Sequence, residues 1–157
     1  MMNSLRTVAM ILFVALIASC ANRSDHQAWE PEWMFDWKFS KGHPPGAIEK
    51  DFDDSGWETV DLPHDWAISG PFGEPADTGD TGKLPWKGQG WYRKSFTLPA
   101  AYQGKRLQFV FDGIMAFSTV YLNGQEVGGW NYGYNSFWLD ATDAAHFGDE
   151  NMLVVHA

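Results

Sequence analysis

An all-β sandwich is the fold class this sequence predicts. Three observations carry it: aromatic residues alternating with polar ones over short segments, an Asn-Gly pair between two such segments, and Gly- and Pro-rich stretches too long for simple hairpin turns. A period of two puts every second side chain on one face, the geometry of a strand with one buried side. A helix would scatter the same residues around its circumference.

Ahead of the strands, the chain opens MMNSLRTVAMILFVALIASCANRSDHQ. Arg6 supplies a charged start, and Thr7 to Ile17 form an apolar run too short to span a bilayer, so residues 1–19 are expected to be an export signal. Ile17-Ala18-Ser19-Cys20 sets small residues directly before the only cysteine and resembles a bacterial lipobox, with Cys20 as the lipid-bearing new N-terminus. The alternative is an ordinary signal peptide followed by a free thiol. A single cysteine allows no disulfide within the domain. The expected location is exported and lipid-anchored at the outer membrane of a Gram-negative bacterium, on its periplasmic or cell-surface side; Ala21 rather than Asp after the cysteine fits that membrane. Acyl chains contribute about 0.8 kcal/mol per buried CH₂, so membrane contact is expected through the anchor alone.

Residues 20–32 read as the lipidated cysteine and a flexible tether, and residues 33–157 as one sandwich domain, a length that supports a single core. All 20 Asp and Glu follow Cys20, so the mature body is at least as acidic as the net charge of −9 over the whole chain. Such a body repels nucleic-acid phosphates and anionic membrane surfaces; no nucleic-acid partner is expected, and neutral ligands are the easiest to accommodate.

The first strand is predicted from Trp33, where Trp33, Phe35, Trp37 and Phe39 alternate with Met34, Asp36, Lys38 and Ser40. GWYRKSFTL is the next, then RLQFVFDG with Leu107, Phe109 and Phe111 on one side. In FSTVYLNGQEVGG, Asn123-Gly124 supplies the positive φ values of a tight hairpin turn. The stretches HPPGA, SGPFGEPADTGDTGKLPWKGQG and NYGYNS are loops. DATDAAHFG suits one helical turn capped by Asp140 or Thr142, and DENMLVVHA begins a last strand. The sequence ends inside that strand. The expectation is a domain truncated at its C-terminus, with neighbour strands left unpaired and a sticky edge. Greek-key or jelly-roll connections suit this size.

The chemistry centres on DFDDSGWETVDLPHDW. Asp51, Asp53, Ser55 and Gly56 match positions 1, 3, 5 and 6 of a calcium loop, but the closing bidentate Glu is replaced by Leu62, so these side chains are expected to bond their own backbone in a turn. His64-Asp65 has the residue types of a base and its orienting acid, yet neighbours on an extended chain point to opposite faces, and no nucleophile elbow accompanies them. They are read as polar residues fixing the backbone after Pro63. The five histidines show no metal-ligand spacing, and neither a metal site nor a cofactor is expected. Nine tryptophans stand out instead. Trp33, Trp37, Trp57 and Trp91 are assigned to the core. Trp86 and Trp130, beside Gly-rich loops with Tyr132 and Tyr134, are either a sugar-binding face or a contact with another domain.

Taken in order, FDDSGWETVDLPHDWAI, LPWKGQGWYRKSFTLP, RLQFVFDGIMAFSTVYLNGQEVGGWNYGYNSFWLDAT and GDENMLVV resemble the N-terminal sugar-binding domain of glycoside hydrolase family 2, most closely its β-galactosidase-like branch. The resemblance runs from about Trp33 to Ala157. It implies a jelly-roll, galactose-binding-like sandwich in which the acidic stretch and His64-Asp65 are fold signature. It also implies that the two catalytic glutamates of a retaining mechanism lie in a β/α barrel that follows this domain and an immunoglobulin-like one, so that this chain holds no catalytic residue. Its partners would be those missing domains and a β-galactoside-like glycan. In the family, the loop before the GWYRK strand can reach the barrel's active site; here that is roughly Asp77 to Gln89, with Asp80, Lys83 and Trp86 as rim candidates beside Trp130 and Tyr132. A free-standing surface carbohydrate-binding lipoprotein is the alternative function.

Overall fold

The computed structural model describes residues 31–69 and 88–157. Strands β1 (Trp37–Lys41), β2 (Glu58–Val60), β3 (Gly90–Thr97), β4 (Gln108–Phe111), β5 (Ser118–Leu122), β6 (Gln125–Trp130), β7 (Phe137–Asp140) and β8 (Glu150–His156) make two antiparallel layers. The larger sheet has the order β2-β1-β3-β8-β5-β6, and β4-β7 is a two-stranded second layer. The sandwich read from the sequence is present among the described residues, with its strands shared unequally between layers.

The layers meet where period-two patterns aim their apolar side chains. Trp37 and Phe39 of β1, Val120 and Leu122 of β5, and Leu153 and Val155 of β8 pack with Phe109 of β4, while Leu107, Phe111 and Leu139 close the second layer over them. The opposite face of the large sheet is covered as well: Trp91, Met152 and Val154 pack with Ala47, and Ile48 and Trp57 lie over them. Strand β8 is therefore apolar on both sides, which is why Met152 to Val155 reads as a continuous run instead of an alternation.

The covering segment between β1 and β2 is held by Arg93, only 1% exposed. Its Nε donates to Asp54 Oδ2 at 2.8 Å, and its Nη1 donates to the carbonyls of Ala47 and, at 3.0 Å, Glu49. A charge this deeply buried needs a carboxylate partner and filled hydrogen bonds, and Arg93 has both. DFDDSGWETVDLPHDW is thus fold machinery, as expected. Asp53 accepts the Ser55 N–H at 3.0 Å, and Asp65 accepts the Ala67 N–H at 2.9 Å. His64 Nδ1 shares a 3.0 Å hydrogen bond with the Tyr92 hydroxyl, on the opposite layer face from Arg93.

Two expectations are corrected. Residues 31–34 form a 3-10 turn and β1 begins only at Trp37. Asp36 takes φ 58°, a left-handed conformation that interrupts a strand and that Asp tolerates. Its N–H donates to Asp61 Oδ1 at 3.1 Å, and the Leu62 N–H donates to Met34 O at 2.6 Å, so the chain here is tied to the β2 side and Phe35 points outward. Trp33 still packs on the core and accepts, through its carbonyl, the Trp37 indole N–H at 2.6 Å. The last strand leaves no neighbour unpaired either: β8 lies in the middle of the sheet, bonded to β3 on one side and β5 on the other, and the edges are β2 and β6.

The β5–β6 hairpin turns on Asn123 (φ 54°) and Gly124 (φ 80°), as the Asn-Gly pair predicts. Asn123 does more than turn the chain. Its Nδ2 donates to Ala144 O and Asn151 Oδ1, and its Oδ1 accepts the Met152 N–H at 2.9 Å, so the hairpin tip is fastened to β8. Asn151, fully buried, completes the knot by donating to His146 O and accepting the His146 N–H. The turn expected in DATDAAHFG is the 3-10 segment Thr142–Ala144, with Asp140 Oδ1 accepting the Thr142 N–H at 3.0 Å.

Candidate functional site

One end of the sandwich gathers the loops. Lys41 pairs with Gly90, Trp91 with His156, Thr119 with His156 and Ser118 with Trp130, so the end of β1, the starts of β3 and β5 and the ends of β6 and β8 lie together. Trp130 stacks on Phe137 with centroids 5.6 Å apart and planes 10° off parallel, which brings the start of β7 to the same end.

The loops 112–117 and 131–136 lie against each other there. A Cβ on Gly133 would stand 3.0 Å from Met115 Sδ and 3.1 Å from Met115 Cα, and one on Gly113 3.2 Å from the Gly133 carbonyl. The two glycines allow that approach, and Ser136 Oγ donates to Asp112 O at 3.3 Å across it. Tyr132 and Tyr134 flank the contact with ring centroids 5.7 Å apart and planes 62° apart. Both are exposed, as are Met115, Phe117 and Trp130.

Beside these loops, Trp91 packs against His156 with centroids 4.5 Å apart and against His43 at 5.6 Å. Burial, with His43 adding to it, holds the His156 imidazole below its ordinary pKa. Trp91 Nε1 and His156 Nε2 are buried with no hydrogen-bond partner among the described residues. Deeper in, burial with the Asp65 charge nearby pushes the Tyr92 hydroxyl up to about 12, so it stays a neutral hydrogen-bond group for His64.

The opposite end carries an open, polar cleft of about 490 Å³ between Lys105-Arg106, the start of β6 and residues 140–144. Asp140 accepts from the Thr142 hydroxyl and N–H, and these bonds, with Arg106 at 3.4 Å, hold its carboxyl below the usual range.

Of the residues singled out in the sequence, Trp130 and Tyr132 come together at the loop end. Cys20, Asp80, Lys83 and Trp86 lie outside the described residues. Trp37 and Trp91 are core as assigned, and Trp33 and Trp57 pack against it half-buried. Met115 was missed because it lies between two strand patterns, and Phe117 because it opens the segment FSTVYLNGQEVGG and reads as strand, whereas the strand begins at Ser118. The signal that could have found them is charge: from Gly113 to Leu139 the only residue charged at neutral pH is Glu126, in a chain with 20 acids.

The unequal two-layer sheet and its loop end define a galactose-binding-like β-sandwich. A family model described as "Glycosyl hydrolase 2 galactose-binding domain-like" matches residues 61–157, and the chain belongs to glycoside hydrolase family 2, as its N-terminal domain. It is 40% identical over 141 residues to a β-galactosidase of Bacteroides ovatus, covering 88% of this chain and 16% of that protein. It is 34% identical to a β-glucuronidase of Formosa agariphila, covering 76% of this chain and 12% of that protein. Among solved structures, a family 2 member from Bacteroides cellulosilyticus matches with a TM-score of 0.68 at 35% identity, over 79% of this chain and 17% of the other. The chain therefore spans a small fraction of the length of the relatives it matches.

Proposed function

We propose that this chain is the N-terminal domain of an exported, lipid-anchored retaining glycosidase acting on β-galactosides, and that it buttresses the catalytic barrel and helps shape the rim of its active site. The observation that carries the reading is the 40% identity to a β-galactosidase across 88% of this chain while only 16% of that enzyme is covered. The relatives include β-glucuronidases as well, so the sugar is set by residues beyond this chain, where the glutamate pair of a retaining mechanism would also lie.

In this reading Asp80, Lys83 and Trp86 are rim residues that help bind the terminal sugar, and Cys20 carries the lipid. The test is the complete gene from the source. The full-length protein should release product from an aryl β-galactoside and incorporate labelled palmitate, and Cys20→Ser should abolish the label while leaving hydrolysis intact. A full-length product inactive on β-galactosides but active on β-glucuronides would replace the sugar. A reading frame that ends at Ala157 would remove the enzyme altogether.

A further inference from the structure

We infer that the aromatic end built from the loops 112–117 and 131–136 is a dry docking surface for the remainder of the same polypeptide, with Phe117 and Tyr134 as its anchors. The inference rests on the reading of this chain as one domain of a longer glycosidase.

Five observations converge. Phe117 is 74% exposed and Tyr134 75%, and Met115 and Tyr132 lie beside them, a density of large apolar groups that an isolated surface rarely keeps in water. Phe117 has φ 66°, a conformation a bulky residue adopts at a cost, and its ring stands exposed. Past Asp112 at the edge of the first loop, the segment Gly113–Leu139 carries no charge except Glu126, and charge depletion is the compositional mark of an interface centre. Finally, the Bacteroides ovatus relative is only 16% covered by this chain, so most of such a protein lies elsewhere. Ala157, hydrogen-bonded in both directions to Gly90, sits at this same end.

A sugar fits the surface less well than protein does. The side chains of Phe117 and Met115 offer no hydroxyl or N–H to a sugar. The Tyr132 and Tyr134 rings stand 62° apart, so they present no common flat face to a pyranose. An apolar side-chain cluster from a neighbouring domain needs neither.

The test uses the full-length protein and the paired substitution Phe117→Asn and Tyr134→Ser, which suits the left-handed φ and removes only exposed rings. The 157-residue chain carrying the pair should unfold at a denaturant midpoint no lower than its parent's, since Asn accepts the left-handed φ more readily than Phe, which shows the sandwich intact. In the full-length protein, the pair should make proteolytic release of this domain roughly tenfold faster and resolve its thermal transition from that of the remainder. Unchanged release and a single unchanged transition would overturn the proposal while full-length glycosidase activity still upheld the functional reading. Loss of retention on immobilised galactan without faster release would assign the surface to sugar instead. Loss of self-association in sedimentation would assign it to a second copy. A natural reading frame ending at Ala157 would sink both readings together.

Discussion

At the scale of single residues, Arg93 shows how a polar side chain can be a structural necessity. Asp54→Asn would leave a buried guanidinium without its counter-charge, and the expected loss is about 3 kcal/mol in a urea unfolding titration. Arg93→Lys keeps the charge but replaces a planar fork by a point, which cannot reach Asp54 and the Ala47 and Glu49 carbonyls at once; it should cost about 2 kcal/mol. A loss below half of either figure would mean that the loop is held by its apolar cover alone. Tyr92 makes a second test. Its hydroxyl is raised in the folded state to about 12 from an ordinary 10.0, so the neutral form is favoured by folding. The stability it contributes is complete below pH 10, where the unfolded chain is also neutral, and is lost as pH rises from there through about 12. A phenolate titration followed at 295 nm should show a late step that Tyr92→Phe removes; a late step surviving in that variant would place the buried phenol elsewhere.

At the scale of elements, the hairpin shows what the sequence could and could not reveal. Asn123-Gly124 announces its own turn, since few residues other than these accept two successive positive φ values. Nothing local announces that Asn123 also fastens the hairpin to Asn151 and Met152, because that bond joins positions 28 and 29 residues apart. The same holds for Arg93: GWYRK is legible as a strand, but its partner Asp54 lies 39 residues earlier. The false start of β1 has the converse cause. Trp33, Phe35, Trp37 and Phe39 alternate perfectly, yet hydrogen bonds to the Asp61 carboxylate and the Leu62 N–H turn the chain at Asp36, and periodicity has no access to those bonds. The β5–β6 pairing gives a graded test. Gly124→Ala puts a Cβ in ordinary contact with Ile48 O at 3.7 Å and Glu49 Oε2 at 3.8 Å, with no clash, at φ 80°, and should cost about 1 kcal/mol. Gly129→Ala would drive a Cβ into the Ser118 carbonyl oxygen, an impossible contact with backbone. It should therefore break the Ser118–Trp130 end of the ladder, seen as fast amide exchange at Thr119 and Trp130. Equal effects of the two substitutions would mean that the strands are not in this register.

At the scale of the whole molecule, the order β2-β1-β3-β8-β5-β6 makes the last strand in sequence the keystone of the sheet. Between Glu150 and His156 it bonds to β3 and β5, supplies Leu153 and Val155 to the core between the layers and Met152 and Val154 to the cluster on the other face, and buries Asn151 in the knot at the hairpin tip. Strands that pair early in the chain cannot close this sheet by themselves, since β3 and β5 meet only through β8. The sandwich is consequently expected to fold as one cooperative unit that depends on its final residues. A chain ending at Asp149 should show no cooperative thermal transition and no near-ultraviolet tryptophan signal. A chain ending at Val155 loses the Trp91–His156 and Thr119–His156 rungs, the His156 ring against Trp91 and the Gly90–Ala157 bonds, and should melt cooperatively at a lower temperature. The contrast between the two separates keystone from ornament. If the shorter chain also melts cooperatively, β1 to β7 form a stable body without β8, and the two faces of that strand are covering a core that is already complete.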